Sequence, residues 1–374
     1  MTQIVISADN HINEPPHVFD RVPANLRARA PQMLRGADGG DGWSFDGGPP
    51  KRTFGIEAMA GRKKDEYQVQ GLRWDEILPG NYDGDAHLKD METDGVHACV
   101  IYPNQAIFTY MTPDRELAVA CMRSYNDWLL DDFQSADPKR IAGLAMLPVD
   151  DGMDIALAEF ERVAAKGARG CFIPGMPARP YNDAYYEPLW AAASAAGIPL
   201  SFHRTFGGTP PDQDWDELVE QQVSVPGIAT RFFSAVRPLT YMIFDGIFQR
   251  HPGLVIVAGE VNFGWLPFWL QTIDQEWETQ KAWSDSPLEV PPSTVVGEQV
   301  FTTSLDDHVG YDLIRAGFPR LSRMTMFSSD YPHSVTLWPD SEEHIQRLTR
   351  DLSDTDRHAV LAGNASRVYG FEVS

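Results

Sequence analysis

IAGLAMLPVDDGMDIALAEFERVAAKGARGCFIPG, residues 141–175, holds the pattern that decides the fold. Its first part, IAGLAMLPV (141–149), is a short apolar run closed by turn residues and reads as a buried strand. DIALAEFERVAAK (154–166) spaces its apolar residues as an amphipathic helix does, and GARGCFIPG (167–175) is a second apolar run. Two strands joined by a crossover helix run parallel, so this stretch is one βαβ unit.

The same alternation extends in both directions. IVISA (4–8) reads as a first strand and ACVIYP (98–103) as a second, after the helical LKDMETDG. The two runs above are the third and fourth. IPLSFH (198–203), LVIVAGE (254–260), VFTTSL (300–305) and MTMFSSD (324–330) supply the fifth to the eighth. EPLWAAASAAG (187–197) is a further amphipathic helix between them. Eight such units fit a closed α/β (β/α)8 TIM barrel better than an open sheet. One such domain is expected over residues 1–374, with no internal repeat beyond the βα unit.

Two stretches interrupt the repeat. Residues 20–85 contain GADGGDGWSFDGGPP and are too long for a plain βα loop. Residues 281–298 (KAWSDSPLEVPPSTVVGE) form a second, smaller insertion. They follow the first and sixth strands, so both are expected as lids over the active end of the barrel. The apolar segment 226–253 contains Pro238, which should kink or split it. It reads either as a helix across the barrel that also serves an oligomer interface, or as two consecutive core helices.

Composition narrows the function. Of 374 residues, 43% are hydrophobic and 11% aromatic, enough for a large core. A formal net charge of -22 repels phosphate backbones and argues against nucleic-acid binding. No apolar run is long enough to span a membrane, and the start shows no basic segment followed by an apolar stretch. Cys99, Cys121 and Cys171 are scattered and odd in number, as for buried thiols in a reducing cytoplasm. A cytoplasmic homo-oligomer acting on a small-molecule substrate is expected.

Four strand ends carry the chemistry. In SADNHINEPP (7–16), Asp9 and His11 lie two apart on the first strand and therefore face the same side. Inward, they form half of a metal site. Taken alone, the pair reads more readily as a helix cap, by Asn10 or Asp9, beside a satisfied core histidine at His11. SFHRTFGG ends the fifth strand on His203, VAGEVNFGW ends the sixth on Glu260, and FSSDYPHS ends the eighth on Asp330 with His333 just beyond. Each polar residue closes an apolar run, where an uncompensated charge would be costly. A divalent cation would neutralise the carboxylates and fix the imidazoles.

With SADNHINEPP, DPKRIAGLAMLP, SFHRT, RHPGLVIVAGE with GWLPFWL, FSSDYPHS with WPDS, and LAGNASRVYGF, the chain resembles the amidohydrolase-related family that includes aminocarboxymuconate semialdehyde decarboxylase. The resemblance spans nearly the whole chain. It implies a metal-dependent (β/α)8 barrel that decarboxylates small unsaturated or aromatic acids, or hydrolyses C–C or C–N bonds. The usual first-strand His-x-His is here Asp9-Asn10-His11, and an acidic first position occurs in decarboxylases of the family. The usual strand-six His is here Glu260. The resemblance implies Asp9, His11, His203 and Asp330 as metal ligands, with Glu260 as a catalytic or substrate contact beyond them.

Two carboxylates and two imidazoles suit one Zn, Mn or Fe ion, with the oxygen share favouring the harder ions. Arg204 suits a substrate carboxylate, or an ion pair with Glu260 or an aspartate. His333 suits a substrate contact or a partner orienting Asp330. His308 is a poorer candidate, and His251 at the start of the sixth strand lies at the stability end. Trp265 and Phe268 are expected to pack the helix after the sixth strand, with Trp265 also a candidate pocket residue. Gly207-Gly208 lets the loop after His203 bend and belongs to no phosphate-loop motif. No GxSxG nucleophile motif is present. The leading expectation is non-oxidative decarboxylation, with Asp330, Glu260 and His203 as catalytic residues. Hydrolysis is the alternative, and a lapsed ligand-binding barrel is a third reading.

Overall fold

The computed structural model describes residues 3–45, 47–203, 225–230, 232–284 and 286–372. Its strands are β1 (Ile6–His11), β2 (Gln32–Arg35), β3 (Asp41–Ser44), β4 (Ala98–Tyr102), β5 (Ile141–Met146), β6 (Gly170–Phe172), β7 (Leu200–His203), β8 (Ile256–Gly259), β9 (Val300–Ser304) and β10 (Thr325–Phe327). Eight of them form one sheet in the order β1-β4-β5-β6-β7-β8-β9-β10, and β2 pairs with β3 as a separate hairpin. Ladders run parallel along the large sheet. Its strands are buried on both faces, which is why they read as continuous apolar runs rather than as alternating ones. The architecture is the (β/α)8 barrel expected.

The barrel closes between β1 and β10, where hydroxyls assist the backbone. The His11 N–H donates to the Tyr331 carbonyl (2.6 Å). The Ser328 hydroxyl donates to the Asp9 carbonyl (2.9 Å), and the Ser329 N–H to the Ser7 hydroxyl (2.9 Å). The serines of FSSD therefore join the two strands that present Asp9, His11 and Asp330.

Residues 20–85 lie against this end. Met59 and Ala60 donate their N–H groups to the Pro332 carbonyl (3.1 Å each), and the Ser334 N–H donates to the Ile56 carbonyl (2.7 Å). The Asn13 amide reaches the Glu57 carbonyl (2.9 Å), and the Gln105 amide reaches the Glu57 side chain (3.1 Å). The insertion thus ties together the loops that follow β1, β4 and β10.

Residues 281–298 correct the expectation of a second lid. They follow the helix Leu266–Gln280, so they lead back to the start of β9 at the opposite end of the barrel. The neighbouring Gln299 amide donates to the carbonyls of Phe248, His251 and Leu254, all before β8. A βα loop lies at the active end, whereas a segment after the helix lies at the other. His251 sits at that end and pairs with Glu187 (2.7 Å), the structural role expected.

Segment 226–253 does not break at Pro238, which lies inside the helix Phe233–Phe244. The break comes at Gly246, in the left-handed conformation (φ 70), before the helix Ile247–Arg250. No helix of the described residues is long and apolar enough to cross a membrane. Cys99, Cys121 and Cys171 are free and buried.

Two stability predictions follow from these positions. A side chain at Gly246 pays the left-handed penalty of roughly 1–2 kcal/mol, and its Cβ would also stand 3.0 Å from Pro287 Cγ. Gly246→Ala is expected to lower unfolding free energy in urea by at least about 1 kcal/mol; an unchanged midpoint would contradict this. His87 is fully buried, and burial presses its imidazole down to about 4 despite the Nδ1 contact with the Gly80 carbonyl (2.8 Å). Its folded value lies below its unfolded one, so below about pH 6.5 the unfolded chain takes up a proton that the folded chain refuses. The contribution is present above that range and lost as pH falls towards 4. His87→Gln is expected to remove about 2 kcal/mol of the stability loss between pH 7 and pH 5, measured by urea unfolding at both.

Candidate metal centre

The site starts with an irregularity in β1. Ser7 pairs with Cys99 and Asn10 with Ile101, so β1 spends one residue more than β4 over this step. This is the geometry of a β-bulge, a device that re-aims side chains near functional sites. Ser7 and Asn10 emerge on one side, hydrogen-bonded to each other (2.6 Å). Asp9 and His11 emerge on the other, into the barrel end. The helix-cap reading of the pair is excluded, because β1 runs through His11.

Three further strand ends bring their polar residues to the same place. His203 ends β7, Glu260 follows β8, and Asp330 lies just beyond β10. All five side chains are buried. His11 Nε2 stands 3.3 Å from Asp9 Oδ1 and 3.4 Å from Asp330 Oδ1. His203 Nε2 stands 3.5 Å from Asp9 Oδ1 and 3.5 Å from Glu260 Oε2. Two donors about 2.1 Å from one ion, at 90–110° to each other, lie about 3.0–3.4 Å apart. The observed separations are close to these. Asp9 Oδ1, His11 Nε2 and His203 Nε2 are also buried without a hydrogen-bond partner among the described residues.

Electrostatics favours the same occupant. Burial opposes charge on Asp9, but His203 and His11 beside it hold its carboxyl well below the usual carboxylate range. Burial, and after it the neighbouring His333, press His11 down to about 4, so at neutral pH its imidazole is uncharged and able to donate a lone pair. A deprotonated carboxylate beside the neutral imidazole of His11 is what a cation requires. Asp9, His11 and His203 form one group able to hold an ion; His11, Asp330 and His333 form an adjoining one that shares His11. The donor set fits a single divalent ion.

His333 turns back onto the site. Its Nδ1 lies 3.0 Å from Asp330 Oδ1, and its ring stacks on that of His11 (centroids 4.0 Å apart). Glu260 (φ 54) and Asp330 (φ 51) both occupy the left-handed region, which bulky residues avoid and which recurs at functional sites. Glu260 stands beside His203 at the mouth of this donor group.

Other candidates fall elsewhere. Arg204 and Gly207-Gly208 lie outside the described residues. The Trp265 indole N–H donates to the Val261 carbonyl (2.9 Å), and its ring lies against Trp269, so it packs the helix as one reading expected. Phe268 does not pack: it is 77% exposed, because it falls on the outer face of that helix. His308 is exposed and pairs with Asp306 (3.3 Å).

Two further participants carry no local signal in the sequence. The Thr303 hydroxyl on β9 donates to Asp9 Oδ2 (2.7 Å) and accepts from the Glu260 N–H (2.6 Å). Threonine is so common in strands that only its place beside the polar strand ends could have marked it. Glu14, in the opening motif, accepts backbone N–H groups from Asn104, Gln105 and Ala106 at 2.8–3.0 Å. It anchors the loop after β4 rather than joining the ion's ligands.

A profile of the amidohydrolase family matches residues 104–371. The chain belongs to the amidohydrolase family. Among this family's proteins, it is similar to the gamma-resorcylate decarboxylase of Rhodococcus jostii (strain RHA1), with 28% identity over 323 residues, covering 80% of this chain and 92% of the relative. Its fold is similar to an amidohydrolase of Mycobacterium avium subsp. paratuberculosis K-10 (TM-score 0.77, 19% identity, 100% of this chain and 99% of the other). It is also similar to a dihydroxybenzoic acid decarboxylase of Polaromonas sp. JS666, solved with manganese and the inhibitor 2-nitroresorcinol (TM-score 0.65, 18% identity, 100% and 98% coverage).

His203 is the ligand candidate that stands 3.5 Å from both Asp9 and Glu260. His203→Ala is expected to weaken Mn²⁺ binding by more than the roughly 10–100-fold typical of losing a group behind the ligands, while circular dichroism stays unchanged. A folded variant that titrates with Mn²⁺ like the wild type would make His203 a core histidine.

Proposed function

We propose that this amidohydrolase-family protein is a metal-dependent carboxy-lyase that removes CO2 from a small aromatic or unsaturated carboxylic acid. The observation that carries the reading is the convergence of an acid-first pair, Asp9 and His11, with His203 and Asp330 at the active end of the barrel. The similarity to a decarboxylase over most of that relative's length supports it.

Asp9, His11, His203 and Asp330 would hold the ion, and the manganese in the Polaromonas enzyme makes Mn²⁺ the first choice. When bound, the ion supplies Lewis acidity for the substrate's oxygens and for the negative charge that develops on them. Arg204 keeps its assignment from the sequence as anchor for the substrate carboxylate. Asp330, in its acid form, delivers a proton to the carbon that bears the carboxylate. The bond from that carbon to the carboxylate then breaks, its electron pair returns to the substrate skeleton, and CO2 leaves. Water restores the Asp330 proton, with His333 placed at 3.0 Å to pass it on. Glu260 and His203 line the same site and position the reacting acid.

The retained donor set argues against a lapsed ligand-binding barrel. We further propose one domain over the whole chain, a cytoplasmic location and a homo-oligomeric state. The net charge of -22 argues against a nucleic-acid partner.

A panel of hydroxybenzoic and unsaturated acids, incubated with the Mn²⁺-loaded protein, tests the reaction. CO2 is expected from at least one acid, and Asp330→Asn is expected to reduce its release by about 10²-fold or more. Release of amine or alcohol from ester and amide analogues, with no CO2 from any acid, would establish hydrolysis instead.

A further inference from the structure

Thr303 occupies a position that neither the ion's ligands nor the reaction above accounts for. Its hydroxyl has one hydrogen, and that hydrogen is directed to Asp9 Oδ2 (2.7 Å). The Thr303 Oγ1 in turn accepts the Glu260 N–H (2.6 Å), which leaves the hydroxyl little freedom to rotate. The Thr303 carbonyl accepts the Asn262 N–H (3.0 Å). Glu260 and Asn262 are the two left-handed non-glycine residues of the turn after β8 (φ 54 and 58). One residue of β9 therefore holds the second oxygen of Asp9 and both strained residues of the Glu260 turn. All of these groups are buried or nearly so, where a lost hydrogen bond is felt in full.

We propose that Thr303 is a positioning residue that sets the orientation of the Asp9 carboxylate and of the Glu260 turn together. The proposal rests on the metal reading of Asp9. With Oδ2 engaged by Thr303, Oδ1 is the oxygen turned to His11 and His203 (3.3 and 3.5 Å). Without the hydroxyl, Oδ2 loses its donor and the carboxylate gains a second orientation. The Glu260 N–H is left without its acceptor in the same step, so the ion's ligand and its neighbouring acid loosen together. Coupling of this kind, through a group that does not touch the ion, typically changes metal affinity by about 10–100-fold.

The test is Mn²⁺ titration of the purified full chain, with thermal unfolding as a folding check. Thr303→Val keeps the shape and removes the hydroxyl; it is expected to weaken Mn²⁺ binding by about 10-fold or more. Thr303→Ser restores the hydroxyl and is expected to bind near the wild-type level. In an Asp9→Ala background, Thr303→Val is expected to cause no further loss, because its effect on the ion passes through Asp9. Should the valine chain fail to fold, Thr303→Ala carries the same expected loss. Wild-type affinity in a folded valine or alanine variant would overturn the proposal, as would equal losses in valine and serine or an additive loss beside Asp9→Ala. Absence of Mn²⁺ binding by the wild type would instead overturn the metal reading.

Discussion

Two fully buried carboxylates flank His11: Asp9 beside it on β1, and Asp330 across the seam that closes the barrel. Charges removed from water in this way are tolerated only when compensated. His11 is itself uncharged at neutral pH, so it supplies no counter-charge. In the proposed assignment a divalent cation would supply it and take up the inward nitrogens of His11 and His203 as well. The bulge in β1, the left-handed conformations of Glu260 and Asp330, and the hydroxyl bonds of Ser328 and Thr303 all serve to present donors to that point.

The seam also explains the place of the long insertion. Strands β1 and β10 carry three of the four ligand candidates, and their meeting relies on single backbone and hydroxyl bonds. Residues 56–60 hold the loop after β10 from above, and Glu57 links it to the loops after β1 and β4. Loops positioned by a rigid scaffold usually carry function. Here one loop also stabilises the position of others.

Much of this was legible in the sequence because two periodicities are strict. Alternation along a strand put Asp9 and His11 on one side, and the βα repeat put His203, Glu260 and Asp330 at the same end of the barrel. Long-range pairing was not legible. The Gly- and Pro-rich stretch forms the hairpin β2–β3, which Asp41 ties through backbone bonds to Phe54 and Leu72, residues that no local pattern links to it. Residues 281–298 follow the sixth strand in sequence, but the helix Leu266–Gln280 intervenes and carries the chain to the opposite end of the barrel. Pro238 was overridden by packing around the helix Phe233–Phe244, whereas Gly246 ended that segment through its left-handed backbone. Thr303 and Glu14 act through contacts with residues remote in the chain, which no local pattern announces.

The central claim is that the four strand-end donors share one divalent ion. The most direct measurement is a crystal structure of the Mn²⁺-soaked protein with anomalous data at the manganese edge. The account predicts one anomalous peak per chain, about 2.0–2.3 Å from Asp9 Oδ1, His11 Nε2, His203 Nε2 and a carboxylate oxygen of Asp330. A well-ordered barrel with these side chains in place and no peak among them, or a peak bound elsewhere, would contradict it.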